Sequence, residues 1–200
     1  MMRTILLFLI WITVASVACA QTAATEEGPN YTADHQLKMP ANYREWTFLT
    51  SGIDMSYNPS QVMAGHSMFD NVFVNPASYK AFLRTGTWPD KTTFVLEIRG
   101  AEGPSSINKR GHSQSQDIMG IEVHVKDSRL GGGWGFFAAD GSDTAKLIPR
   151  PASCYTCHES HGAVDTTFVQ FYPTLLGLAK AKGTLSAAYL KEISIPPTAK

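Results

Sequence analysis

The sequence predicts an α+β fold: one domain rich in antiparallel β-sheet, with a few helices and its most distinctive motif near the C-terminus. Three observations carry this prediction. Short apolar or alternating segments recur between residues 46 and 138, separated by Gly-, Pro- and Asn-containing turns at hairpin spacing. A single helical pattern interrupts them, and further helix is expected only after the last strand. No repeat, heptad run or low-complexity block competes with that organisation.

The elements follow in order. Met1-Met2-Arg3 is a short positive region, residues 5–14 are nearly all apolar, and Ala18-Cys19-Ala20 is a small-x-small cleavage site. Residues 1–20 are therefore expected to be a signal peptide, with Gln21 as the mature N-terminus and the periplasm as destination. The apolar stretch falls short of the roughly 20 residues that a membrane span needs. Lipid anchoring at Cys19 ranks second, because Ser16 stands where such signals usually carry a branched aliphatic. Strands are expected over residues 46–49 and 71–74. Asn75-Pro76 then caps and opens a helix over 76–84, which Gly86 ends. A third strand covers 92–98, with Phe94, Leu96 and Ile98 on one face. The polar stretch 100–116, carrying Lys109, Arg110 and His112, reads as a loop. Residues 119–125 alternate most cleanly: Met119, Ile121, Val123 and Val125 face one way, Gly120, Glu122 and His124 the other. A triple glycine, Gly131-Gly132-Gly133, leads into a fifth strand over 134–138. Residues 166–182 read as a helix broken or kinked at Pro173. The domain is placed at 35–185, with 21–30 loose and 186–200 a C-terminal tail.

Cys154-Tyr155-Thr156-Cys157-His158 is the attachment pattern of a c-type haem. Two thiols add across the haem vinyl groups, a two-residue spacer lets both reach one porphyrin edge, and the next imidazole ligates iron. A thioredoxin-like pair wants a βαβ context that is missing here. Structural zinc wants four ligands, and the only other cysteine, Cys19, lies in the leader. A disulfide or redox pair stays open as the alternative. Export agrees with haem c, and an exported chain with one Cys pair fits a periplasmic cytochrome better than a disulfide scaffold.

Composition excludes other classes. The chain holds 17 Lys+Arg and 17 Asp+Glu. Removing the leader takes away only Arg3, for a mature formal charge of −1. Neither nucleic acid nor an anionic membrane surface is implied as partner.

Haem attachment in a β-rich chain carries a resemblance. The chain resembles the P-460 cytochromes and their relatives, the β-type cytochromes c-prime. The matching pieces are Pro40-Ala41-Asn42-Tyr43-Arg44-Glu45-Trp46, Val72-Phe73-Val74-Asn75-Pro76 with Ser78-Tyr79, Thr85-Gly86, Gly120-Ile121-Glu122, Val125-Lys126-Asp127-Ser128, Trp134-Gly135-Phe136, the haem motif and Phe171-Tyr172-Pro173. They run collinearly over residues 35–180. The resemblance implies an exported, mainly β-sheet homodimer with one pentacoordinate haem c. Members of the P-460 branch oxidise hydroxylamine; c-prime members bind nitric oxide and carbon monoxide. By the same resemblance Cys154 and Cys157 attach the haem, His158 is the proximal iron ligand, and Glu122 matches a distal carboxylate that relays protons in the oxidising members. Leu96 departs from the pattern, standing where P-460 enzymes place a lysine cross-linked to the haem. Leucine cannot form that bond. Lys91, about 16 Å along a strand and on the opposite face by parity, is a poor substitute.

The sixth iron position decides function, since an open site binds small ligands and a filled one passes electrons. His161 follows His158 by one turn and belongs to the same side of the haem. Candidates from distant segments are His66, Met63, Met68, His112, Met119 and His124, of which His66 is the one to watch and Met119 reads as core. Phe69 and Phe73, with Leu96, are expected instead to line an apolar distal pocket. Three functions follow: binding of nitric oxide or related nitrogen oxides; oxidation of hydroxylamine or turnover of peroxide with Glu122 as relay; and electron transfer to a soluble redox partner.

Overall fold

Apart from the first, each strand pairs antiparallel with its neighbours in sequence. The computed structural model describes residues 28–57 and 67–194. Its strands are β1 (Leu37–Lys38), β2 (Thr47–Ile53), β3 (Met68–Val74), β4 (Thr93–Glu102), β5 (Ser113–Lys126), β6 (Trp134–Ala139) and β7 (Thr144–Leu147). They form one antiparallel sheet of order β1-β7-β6-β5-β4-β3-β2, a meander with β1 added beyond β7. Helices α1 (Pro76–Thr85), α2 (Ser153–His161), α3 (Leu176–Lys182) and α4 (Ala187–Ser194) complete the α+β domain.

Both faces of the central strands are covered, each by a different part of the chain. On one face Val74, Phe94 and Trp134 pack with Phe82 and Trp88 and with Val164, Val169 and Leu175 from the C-terminal part of the chain. The other face buries Val95, Val123, Val125 and Phe137 beneath the N-terminal residues Leu37, Tyr43 and Trp46. Two-sided burial explains why β6 opens on four buried residues, Trp134-Gly135-Phe136-Phe137, rather than an alternation. Under the N-terminal cover, buried Glu97 accepts from Tyr43, Arg44 and Arg99. Burial works against its charge, yet those partners hold its carboxyl below the usual range.

Helix α1 starts on Pro76, whose fixed φ suits the first turn, and stops at Gly86 in the left-handed region (φ 77°). The capping expected of Asn75 takes a different form. Its side-chain carbonyl accepts the Thr93 amide at 2.9 Å, tying the helix start to β4 instead of to the helix's own N–H groups.

Several expectations need correction. The loop placed at 100–116 is shorter than expected, confined to residues 103–112, because β4 continues to Glu102 and β5 begins at Ser113. This two-stranded extension is irregular in register and runs beyond the core, so polar residues suffice to build it. Met119 lies on it and is 52 % exposed, not core. Residues 166–182 do break at Pro173, but before the break they form only a 3-10 turn at Val169–Phe171, with α3 after it. Pro173 forces Tyr172 into extended backbone and interrupts the run. The region after residue 185 begins with α4, packed on α2.

Candidate functional site

A cavity of about 420 Å³ opens between the face of the sheet that carries Phe94 and the C-terminal segment, within the size range of small-molecule pockets. Helix α2 supplies its reactive groups. Cys154 and Cys157 lie one turn apart on the same helical face, both as free thiols lining the cavity. Burial, then the neighbouring Cys154 and Glu192, raises the Cys157 thiol above its ordinary value. Helix α2 is held from below by buried Tyr155, whose hydroxyl donates to the Ile148 carbonyl at 2.7 Å. The Arg150 guanidinium sits 4.1 Å over the same ring.

His158 is oriented from several sides. Its Nδ1 lies 2.7 Å from the Thr166 carbonyl, which can only accept, so Nδ1 carries the proton and Nε2 keeps its lone pair. Burial holds the imidazole below its ordinary pKa against that hydrogen bond, leaving it neutral as a metal ligand must be. Phe168 stacks on the ring at 4.1 Å, and Phe136 and His124 meet it edge-on at 4.6 and 5.0 Å. The segment carrying Thr166 and Phe168 is pinned in turn. The indole N–H of Trp88 donates to the Thr167 hydroxyl at 2.9 Å, and that hydroxyl donates to the Val164 carbonyl at 2.7 Å.

The sheet presents rows of side chains, about 7 Å apart along the strands. Phe94, His124 and Phe136 pair across β4, β5 and β6 in the row against His158. Val72, Leu96 and Glu122 form the next row across β3, β4 and β5, and Asp70 lies one step further along β3. All of these side chains line the cavity. His124 is stacked on Phe136 at 4.0 Å; burial, then His158, pushes its pKa well down. Burial, with Glu122 and Asp54, pushes Asp70 up.

The structure thus brings together Cys154, Cys157, His158, Leu96 and Glu122 around one space. Phe69 and Phe73 do not join them. They project from the opposite face of β3, where Phe73 packs edge-on against Tyr43 and Phe48 at 5.7 Å each. The expected aromatic lining is therefore replaced by Asp70 and Val72, because residues of the other parity face the cavity. His66 and Met63 lie outside the described residues. Met68, Met119 and His112 do not line the cavity, and neither does Lys91 in the turn before β4. His124 does, but beside His158. His161 is at the surface, its Nδ1 3.0 Å from Glu192. Sequence reasoning missed Asp70, Phe168, Tyr57 and Met55, the last with its sulfur folded over Gly52.

Two thiols and a neutral imidazole with a free Nε2 on one helix, facing aromatic walls, are the donor set and lining that a haem requires. A comparison with curated proteins gives no match. The family model for cytochrome P460 matches residues 40–169, well over half of the chain, from the N-terminal cover through the haem motif to the segment that orients His158. The chain belongs to the cytochrome P460 family and is a haem-binding cytochrome.

Proposed function

We propose that the chain is an exported mono-haem c-type cytochrome that binds nitric oxide or related small nitrogen oxides at a five-coordinate iron. One observation carries this reading. His158 offers a free Nε2 from one end of the cavity, while the row beyond it, Val72, Leu96 and Glu122, offers no imidazole or sulfur to close the other side. Bound there, haem supplies an iron that coordinates small ligands. Cys154 and Cys157 would hold it by thioethers, each sulfur and its hydrogen adding across one vinyl group. His158 would bind its iron through Nε2, kept in position by Thr166 and Phe168. Leu96 contributes apolar wall where a nucleophilic side chain would be needed for a third bond to the ring.

A second reading, turnover of hydroxylamine or peroxide, is favoured by Glu122, whose carboxylate lines the same space and can accept a proton. Leu96 weighs against the P-460 form of it. Electron transfer to a soluble partner would require a sixth ligand, and among the described residues Met55 is the cavity-lining candidate. We also place a second copy of the chain against the N-terminal-cover face of the sheet, where Phe48 and Ile53 are 54 % and 46 % exposed. Light scattering of wild type and Phe48→Asp tests that homodimer.

Ligand binding tests the main reading. Ferrous protein should be high-spin and bind carbon monoxide and nitric oxide rapidly, with no internal ligand to displace. A low-spin ferrous spectrum that ignores carbon monoxide would overturn it, and Met55→Ala or His66→Ala would then identify the occupant.

A further inference from the structure

We propose that Asp70, together with Glu122, makes this cavity select neutral or proton-bearing ligands and reject anions. The inference rests on the haem reading above and adds a specificity-determining residue to it. Asp70 on β3 and Glu122 on β5 flank β4, whose Leu96 pairs with Glu122 and whose Ile98 pairs with Asp70. Strand spacing and the one-row offset put their Cα atoms about 12 Å apart, and both side chains turn into the space between. Each carboxylate is therefore directed at the end of the cavity away from His158, where an iron-bound ligand would lie.

No described residue nearby offsets their charge. Among the described residues that line the cavity there is no lysine or arginine, and neither Asp70 nor Glu122 makes an ion pair or hydrogen bond with a described residue. Glu122 instead acts on Asp70 as a like charge, with Asp54 a further negative neighbour. Tyr57, which also lines the cavity, feels Asp70 as well: burial and then that carboxylate raise its phenol. Carboxylates on an ordinary solvated strand face usually find a lysine or arginine across the ladder. Here the cross-strand positions are Gly52, Leu96, Ile98 and Ala138, so the field of the pair falls on the cavity. Nitric oxide and hydroxylamine carry no charge and enter without penalty, and a protonated amine is attracted. Nitrite and azide are repelled.

The magnitude follows from Coulomb's law. One carboxylate about 7 Å from a bound anion, at an effective dielectric of about 30, weakens binding roughly tenfold. The test uses holo-protein with two probes, azide on the ferric form and carbon monoxide on the ferrous form. Asp70→Asn should raise the azide-to-carbon-monoxide affinity ratio about tenfold, Asp70→Glu should leave it near wild type, and Asp70→Asn/Glu122→Gln should raise it further. An unchanged ratio in Asp70→Asn and in Glu122→Gln, with carbon monoxide still binding, overturns this inference and leaves the functional reading standing. A low-spin iron that binds neither probe overturns both. Should Asp70→Asn fail to mature with haem, Glu122→Gln alone decides by the same ratio.

Discussion

Replacing Thr167 by valine removes one hydroxyl and should loosen the whole His158 side of the site. Thr167 is 1 % exposed and Trp88 2 %, so neither can recruit water without opening the core. The hydroxyl accepts from the Trp88 indole at 2.9 Å and donates to the Val164 carbonyl at 2.7 Å. Valine keeps the shape and leaves the indole N–H buried without a partner, which costs about 1–3 kcal/mol. The Val164 carbonyl still accepts the Thr167 amide at 3.0 Å, so its loss is small. Burying the extra methyl returns somewhat under about 1 kcal/mol. The net loss is about 1 kcal/mol, or about 2–4 °C in Tm for a domain of this size. Urea unfolding of the holo-protein measures the first figure and calorimetry the second. Thr166 and Phe168 flank the substitution and orient His158, so the iron–histidine stretching band in resonance Raman spectra should shift and broaden. A Thr167→Val protein within about 0.5 kcal/mol of wild type, with an unaltered band, would refute this anchoring.

Three further outcomes are expected. Asp127, 2 % exposed, is held to about 2 by its hydrogen bonds from Arg129 against burial, with Tyr31 adding to the effect. Because its folded pKa lies below the unfolded value near 4, its stabilisation of about 2 kcal/mol is full above that value and lost as pH falls toward 2. Urea titrations should therefore show wild type losing that much more than Asp127→Asn over the same interval. Gly86→Ala should destabilise by about 1–2 kcal/mol in the same assay, since φ is 77° and the new Cβ meets Lys182 Cβ at 2.8 Å. With leucine at position 96, the ferrous protein should show an ordinary c-type spectrum without the long-wavelength band of a cross-linked haem, and hydroxylamine oxidation should be feeble. A third haem–protein bond found by peptide mass spectrometry would contradict that.

The parts of this molecule that were legible in the sequence are those where one physical signal dominates. Residues 119–125 alternate because β5 carries apolar residues on one face and Glu122 and His124 on the other. Helix α1 declares both ends through Pro76 and Gly86. The haem motif is chemistry at fixed spacing and needs no fold to be read. Strand β3 hid its orientation, because Phe69 and Phe73 are apolar on one parity and Val72 and Val74 on the other. Bulk pointed to the phenylalanines, yet they belong to the N-terminal cover, and an open cavity tolerates a carboxylate that a packed core would not. Asp70 was overlooked for the same reason: an aspartate in a strand reads as solvated surface. Strands β1 and β7 are too short for any periodicity. Phe168 and Thr166 act through a stacking contact and a backbone carbonyl, which no residue pattern advertises.

Whether Cys154, Cys157 and His158 hold one covalent haem is decided by the intact mass of protein matured with cytochrome c assembly machinery and then denatured. The expected product is polypeptide plus a single haem that survives acid–acetone extraction, with neither Cys154 nor Cys157 available to a thiol reagent. Bare polypeptide with two alkylatable thiols or a Cys154–Cys157 disulfide, and haem recovered free in the extract, would contradict it.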